Sequence, residues 1–162
     1  MVALVVFNKA KEQILDGVHK LGATADTYNA MLVQASPATA IAVTNPEPQY
    51  AAGGTPNPDL SLATNEADPN TSGTYTAGGS SIGTVTLSPT DGSNATITCA
   101  NGGGTTAWAI DANNPTNAET VVVYNDNATN KPALFYFGLG QTFDMTAGTL
   151  TLDWSASLFT LA

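Results

Sequence analysis

Three observations predict a mainly β protein, an antiparallel β-sandwich of the jelly-roll or Ig-like kind with one short N-terminal α-helix. From residue 73 onward, short runs rich in Thr, Val and aromatic residues alternate with Gly, Pro and Asn punctuation, the spacing of short antiparallel strands. Near the C-terminus, Leu150, Leu152 and Trp154 alternate with Thr149, Thr151 and Asp153, which gives one buried face and one wet face. The 162 residues, 43% hydrophobic and 10% charged, are enough for a single domain with its own core and too apolar for a disordered tail.

Met1-Val-Ala-Leu-Val-Val-Phe7 reads as a short strand or docking arm. Asn8 is placed to cap a helix over about residues 9–21. Ala10, Ile14, Val18 and Leu21 form an apolar stripe along it, with Asp16 and Lys20 as an i,i+4 pair and Gly22 as the stop. Gly17 weakens this helix, and His19, beside the stripe, reads as a surface histidine. Thr27-Tyr-Asn-Ala-Met-Leu-Val-Gln34 is a strand. Residues 36–60, with Pro37, Pro46, Pro48, Pro56 and Pro58, predict a long extended loop, because proline removes ladder donors and fixes φ. Ala40–Thr44 is its one regular stretch.

The expected β series is Gly73–Ala77, Gly83–Ser88, Asn94–Ala100, Thr105–Ile110, Glu119–Tyr124, Ala133–Phe137, Gln141–Met145 and Thr149–Trp154. Its turns fall at Gly78-Gly79, Pro89-Thr-Asp-Gly92, Asn101-Gly-Gly-Gly104, Asp111–Pro115 and Asn125–Asn127. Trp108, Val121, Val123, Phe135, Phe137, Leu152 and Trp154 are the expected core. Cys99, in an alternating stretch, reads as a small buried side chain.

The chemistry available is sparse. Lysine and arginine together number four, all of them lysine, beside one histidine and one cysteine. Active sites are built from converging titratable groups, so this composition predicts no enzyme, no cofactor and no metal centre. Lys131 faces eleven carboxylates in residues 21–162, a poor match to nucleic-acid phosphates or anionic membranes. The Asn/Asp-rich loops at 111–117 and 125–130 carry the oxygens calcium takes, without the spaced acidic pattern of a dedicated loop; they read as turns. Glu66 and Asp68 pair two carboxylates in the manner of a glycosidase, a pairing that any acidic chain produces. Apolar residues precede the first lysines, the reverse of a secretory signal, so the chain is expected to be made in the cytoplasm without a signal peptide.

Several segments taken together are similar to one protein group. Phe7-Asn-Lys-Ala-Lys-Glu-Gln-Ile-Leu-Asp-Gly-Val-His19, then Asp26-Thr-Tyr-Asn-Ala-Met-Leu-Val33 and Gly73-Thr-Tyr-Thr-Ala-Gly-Gly79 carry the likeness through the first half. Ala107-Trp108, Val121-Val-Val-Tyr-Asn-Asp126, Phe135-Tyr-Phe-Gly138 and Gly148-Thr-Leu-Thr-Leu-Asp-Trp154 continue it. In these the chain resembles the small structural (virion) proteins of tailed bacteriophages, capsid decoration or cement proteins among them. The absence of arginine departs from that pattern. The resemblance implies a non-enzymatic virion protein, made in a bacterial host, that binds the major capsid protein or other virion proteins and itself as a homotrimer. A tail or adsorption component, a receptor- or carbohydrate-binding β-sandwich, is the alternative. The expected partner-contacting residues are Val2, Leu4, Val6 and Phe7 of the arm, with Pro46, Pro48, Tyr50, Pro56 and Pro58 of the proline-rich loop.

Overall fold

Two nearly continuous apolar strands organise the molecule. β2 (Thr27–Val33) and β6 (Ala118–Asn125) pair antiparallel from Tyr28↔Asn125 to Val33↔Thr120. Met31, Leu32 and Val33 are buried, and so are Val121, Val122 and Val123. Successive strand residues point to opposite faces, so both faces of this pair are covered. A computed structural model describes residues 4–22, 26–34, 48–50, 65–67, 72–89, 95–99, 104–154 and 159–161, with the backbone alone for 87–89, 95–99 and 159–161.

The other described strands are β1 (Val5–Val6), β3 (Ser80–Pro89), β4 (Ala95–Cys99), β5 (Thr105–Trp108), β7 (Ala133–Phe143), β8 (Leu150–Asp153) and β9 (Phe159–Leu161). Seven of the strands form one sheet in the order β1-β7-β6-β2-β3-β4-β9, and β5 pairs with β8 in a second; every pairing is antiparallel. β3 changes partner midway. Its Ser80–Thr84 half lies on β2, and its Val85–Pro89 half lies on β4.

The two-stranded sheet is fixed to the larger one by its tryptophans. Trp108 meets Tyr75 edge-on at 5.6 Å, and its Nε1–H donates to Ser80 Oγ of β3 at 3.1 Å. Trp154 meets Phe137 of β7 edge-on at 6.0 Å, and its Nε1–H donates to Thr106 Oγ1 at 2.9 Å. Each indole buries its apolar body while its polar edge keeps a partner. The mainly β, antiparallel architecture and all seven expected core residues are as the sequence predicts. β8 shows the expected alternation, with Leu150 and Leu152 buried and Thr151 and Asp153 exposed.

The N-terminal elements differ from expectation. The helix α1 spans Asn8–Leu15, not residues 9–21, and Phe7 occupies its N-cap position without a side-chain cap. It ends early because Gly17 takes φ +74°, where the Gly17 amide donates to Ile14 O and the Val18 amide to Gln13 O. That is the Schellman ending of a helix, with the glycine at C′. Gly17 is therefore the stop, not a weak point inside the helix, and Asp16 and Lys20 are not a helical pair. The ion pair that α1 does carry is Lys9–Glu12 at 2.6 Å. His19, expected at the surface, is buried.

Two strand expectations are also corrected. Residues 73–77 form a turn, because the Tyr75 amide donates to Asn114 Oδ1 instead of to a ladder. Ala133–Phe137 and Gln141–Met145 are not separate strands but fall largely in the single β7, which runs through Gly138-Leu-Gly140 by bulging. Ala118 and Thr120, two residues apart, face Phe143 and Gly138, five apart, so β7 carries three extra residues at this point. β9 lies beyond the last strand the sequence pattern suggests. The Ala40–Thr44 stretch, the turn after Pro89 and the burial of the Cys99 side chain lie outside the described residues.

Candidate functional site

The residues expected to contact partners are used, where described, within the chain itself. Phe7 has no exposed surface and stacks tilted on Tyr136 at 5.0 Å. Val5 and Val6 pair with Tyr136 and Phe135, so residues 5–6 are an edge strand of their own sheet. The arm expectation is thus corrected for Phe7, whose apolar ring the core takes, and Leu4 and Val6 are half-buried against that core. Pro48 and Tyr50 are likewise docked internally. Pro48 O accepts the Ala133 amide at 2.8 Å, Gln49 bridges Pro132, and the Tyr50 amide donates to Lys131 O at 3.0 Å. Tyr50 stacks on Tyr124 with ring centres 4.8 Å apart, and Lys131 Nζ lies 5.6 Å from the centre of the Tyr50 ring. Val2, Pro46, Pro56 and Pro58 lie outside the described residues.

A buried polar knot joins this docked segment to the Gly73–Gly79 turn. Glu66, 1% exposed, bridges to Val33 at the end of β2. Its Oε1 accepts the Tyr75 hydroxyl at 2.9 Å and the Gly78 amide at 2.6 Å. The Tyr75 hydroxyl in turn accepts the Leu32 amide at 3.0 Å. Tyr124 donates its hydroxyl to Gly78 O at 2.9 Å and accepts from Asn29 Nδ2 at 3.2 Å. Burial raises the Glu66 carboxyl above its usual range, against the two hydrogen bonds, which lower it. Burial also pushes the Tyr75 and Tyr124 hydroxyls well up, so both phenols stay protonated donors.

The chain approaches itself most closely at Gly79, at φ +75°, where a Cβ would stand 1.8 Å from Ala30 O. Only glycine fits a turn pressed this hard onto β2. Asn114 completes the anchorage from the opposite side. Its Oδ1 accepts the Tyr75 amide at 3.0 Å, while its Nδ2 donates to Ala109 O and Thr74 Oγ1, each at 2.8 Å.

The Asn-rich loops act as turns. Asp111 Oδ1 accepts from the Asn113 amide at 2.8 Å, and Asn125 Oδ1 accepts from the Asn127 and Ala128 amides at 2.9 and 3.1 Å. Between the first loop and Thr146 lies a pocket of about 220 Å³ whose walls include Asn113, Asn114, Pro115 and Asn117. Among the described residues no three His, Cys, Asp or Glu side chains come together as a metal site would need. Of the Glu66–Asp68 carboxylate pair, Glu66 is buried and bonded to Tyr75; Asp68 lies outside the described residues.

Glu66 is an anchor that the sequence pattern does not single out. The signal was available in Tyr75 and the double glycine that follows it, a turn with a large aromatic that needs an interior partner. No family model, no curated protein and no solved structure matches the chain. Among the described residues no helix is long and apolar enough to cross a membrane.

Proposed function

We propose that this chain is a non-enzymatic structural protein of a bacteriophage virion, a capsid decoration (cement) protein that binds the outer face of the head as a homotrimer. The observation that carries this reading is the use made of Gly73–Gly79, the turn through which the chain resembles that group. Its tyrosine and glycines are held by Glu66, Asn114 and Tyr124 against the central sheet, which is scaffold work. The net charge of −9 keeps such a particle surface soluble. Weak contacts suffice for a coat protein, because a shell repeats them many times. Its contacts would come from Val2, Pro46, Pro56 and Pro58, and from the exposed bulge at Gly140–Thr142.

The tail or adsorption reading draws on a separate observation, the Asn- and Thr-walled pocket beside Thr146, whose chemistry suits sugar hydroxyls. Two experiments separate them. Purified chain mixed with phage heads stripped of decoration should cosediment and raise the temperature at which the heads open. Saturation-transfer NMR against host-surface saccharides should give no signal; binding to sugars without binding to heads would favour the adsorption component.

A further inference from the structure

We infer that residues 18–21 form a hinged strap latched by His19, and that protonating this imidazole releases the strap from the sheet while the sheet stays folded. The inference concerns the fold and stands apart from the virion reading.

The hinges are Gly17 at φ +74° and Gly22 at φ +135°, each with nothing within 4 Å of where a side chain would begin. Both adopt backbone that glycine alone takes freely and both sit in open space, so the strap can swing at either end. Three kinds of hydrogen bond hold it down. Asn125 Nδ2, at the end of β6, donates to Val18 O at 3.0 Å and to Asp26 Oδ2 at 2.7 Å. Asp26 Oδ2 also accepts the Lys20 amide at 3.0 Å, and the Asp26 amide donates to Lys20 O at 3.0 Å. The Val18 and His19 amides donate to Gln13 O at 2.9 and 3.3 Å.

His19 is the part of the strap that enters the interior, at 1% exposure, stacked on Tyr28 of β2 with ring centres 6.1 Å apart. Gln13 Oε1 lies 3.2 Å from Nε2. An amide oxygen only accepts, so Nε2 carries the proton and Nδ1 is left as a bare acceptor. Nδ1 is buried and has no hydrogen-bond partner. A second proton therefore has to arrive at an atom with no acceptor beside it, and the resulting cation is away from water.

The groups around the imidazole offer little compensation. From β2 comes the Tyr28 hydroxyl, itself buried and without a partner; from α1 comes the neutral Gln13; from β6 comes the neutral Asn125. Among the described residues Asp26 is the one carboxylate acting on it, and it is outweighed by burial, which holds the imidazole down at about 4 against an ordinary 6.5. Asp16 and Lys20, its neighbours along the chain, are exposed, and Asp126 is paired with Lys131 at 2.6 Å.

Amide hydrogen exchange on the whole chain, expressed as protection factors at successive pH values, tests the latch. Between pH 6.5 and 4 the protection of Val18 and His19 should fall by about tenfold per pH unit while staying well below that of Val121–Val123 at every pH, because the strap opens without global unfolding. His19→Phe, which keeps the ring and removes the proton site, should hold strap protection constant over the same range. NMR titration of wild-type protein, whose single histidine needs no assignment, gives an independent readout if that variant does not fold. An imidazole titrating near 6.5 would overturn the inference. So would protection of Val18 and His19 equal to that of Val121–Val123 at every pH, which would mean the strap opens only with the whole fold, or an unchanged pH dependence in His19→Phe, which would hand the effect to Asp26.

Discussion

The Tyr75 hydroxyl donates to the buried Glu66 carboxylate at 2.9 Å while accepting the Leu32 amide at 3.0 Å. One phenol thus ties a turn, an isolated bridge and the central strand β2 together. Because the Gly78 amide shares the same Glu66 oxygen at 2.6 Å, removing that carboxyl orphans two buried donors at once. Glu66→Ala should therefore lower unfolding free energy by about 2–4 kcal/mol in urea titration, the cost of leaving such groups unpaired. Glu66→Gln retains the acceptor oxygen and sheds a carboxyl that burial disfavours as an anion, so it should cost under about 1 kcal/mol. Equal losses in the two variants would mean the knot does not act through hydrogen bonding.

Gly79→Ala is expected to be among the most damaging single-methyl changes in the chain. The added carbon would meet Ala30 O at 1.8 Å on a backbone at φ +75°, so either the turn or β2 has to move. A loss of about 3 kcal/mol or more is expected from combined clash and strain. A midpoint within error of wild type would show that the turn does not press on β2 as described.

The pH dependence follows from His19, with the sign fixed by burial. Its imidazole is held at about 4 in the folded chain against 6.5 when unfolded, so the unfolded state binds more protons between those values. Stability from this group is complete above pH 6.5, is lost as pH falls through that window, and reaches a floor below about 4. The loss is about 3 kcal/mol. Chemical denaturation at pH 7 and pH 4 should show it, and His19→Phe should flatten that part of the profile. Glu66 contributes in the opposite sense: its raised value favours the fold at lower pH, and that contribution fades as the carboxyl ionises.

Phe7 and the residues before it separate packing from any arm. Phe7→Ala should cost about 3–5 kcal/mol, as loss of a fully buried phenylalanine does. Among the described residues, deleting residues 1–6 removes Leu4 and the two-residue edge strand β1, and it should leave a folded sheet, read by near-ultraviolet circular dichroism of Trp108 and Trp154. Unfolding of the truncated chain would assign the segment to the core.

Most of the sheet was legible because its strands alternate and its turns carry Gly, Pro and Asn. The same logic failed where a side chain replaced the ladder. Gly73–Ala77 has strand composition, yet Asn114 takes the Tyr75 amide and Glu66 takes the Tyr75 hydroxyl and the Gly78 amide just beyond, contacts between residues distant in sequence. The apolar stripe continues past Gly17 and so predicts a longer helix than α1, whose end is set by the local Asp16-Gly17 signal instead. His19 followed from the same error. Once the helix stops at Leu15, the chain turns and carries the imidazole inward to Tyr28. At Pro48 and Tyr50 the expectation of a partner-facing loop met a β6–β7 hairpin whose Lys131 carbonyl and Ala133 amide are taken by the Tyr50 amide and the Pro48 carbonyl.

Copy number tests the central claim most directly. Quantitative mass spectrometry of purified particles, with the major capsid protein as internal standard, counts the chain per virion. A decoration protein repeated over the shell predicts copies on the order of hundreds, in a fixed ratio to the capsid protein. A count of about a dozen or fewer, or absence from washed particles, would contradict the account.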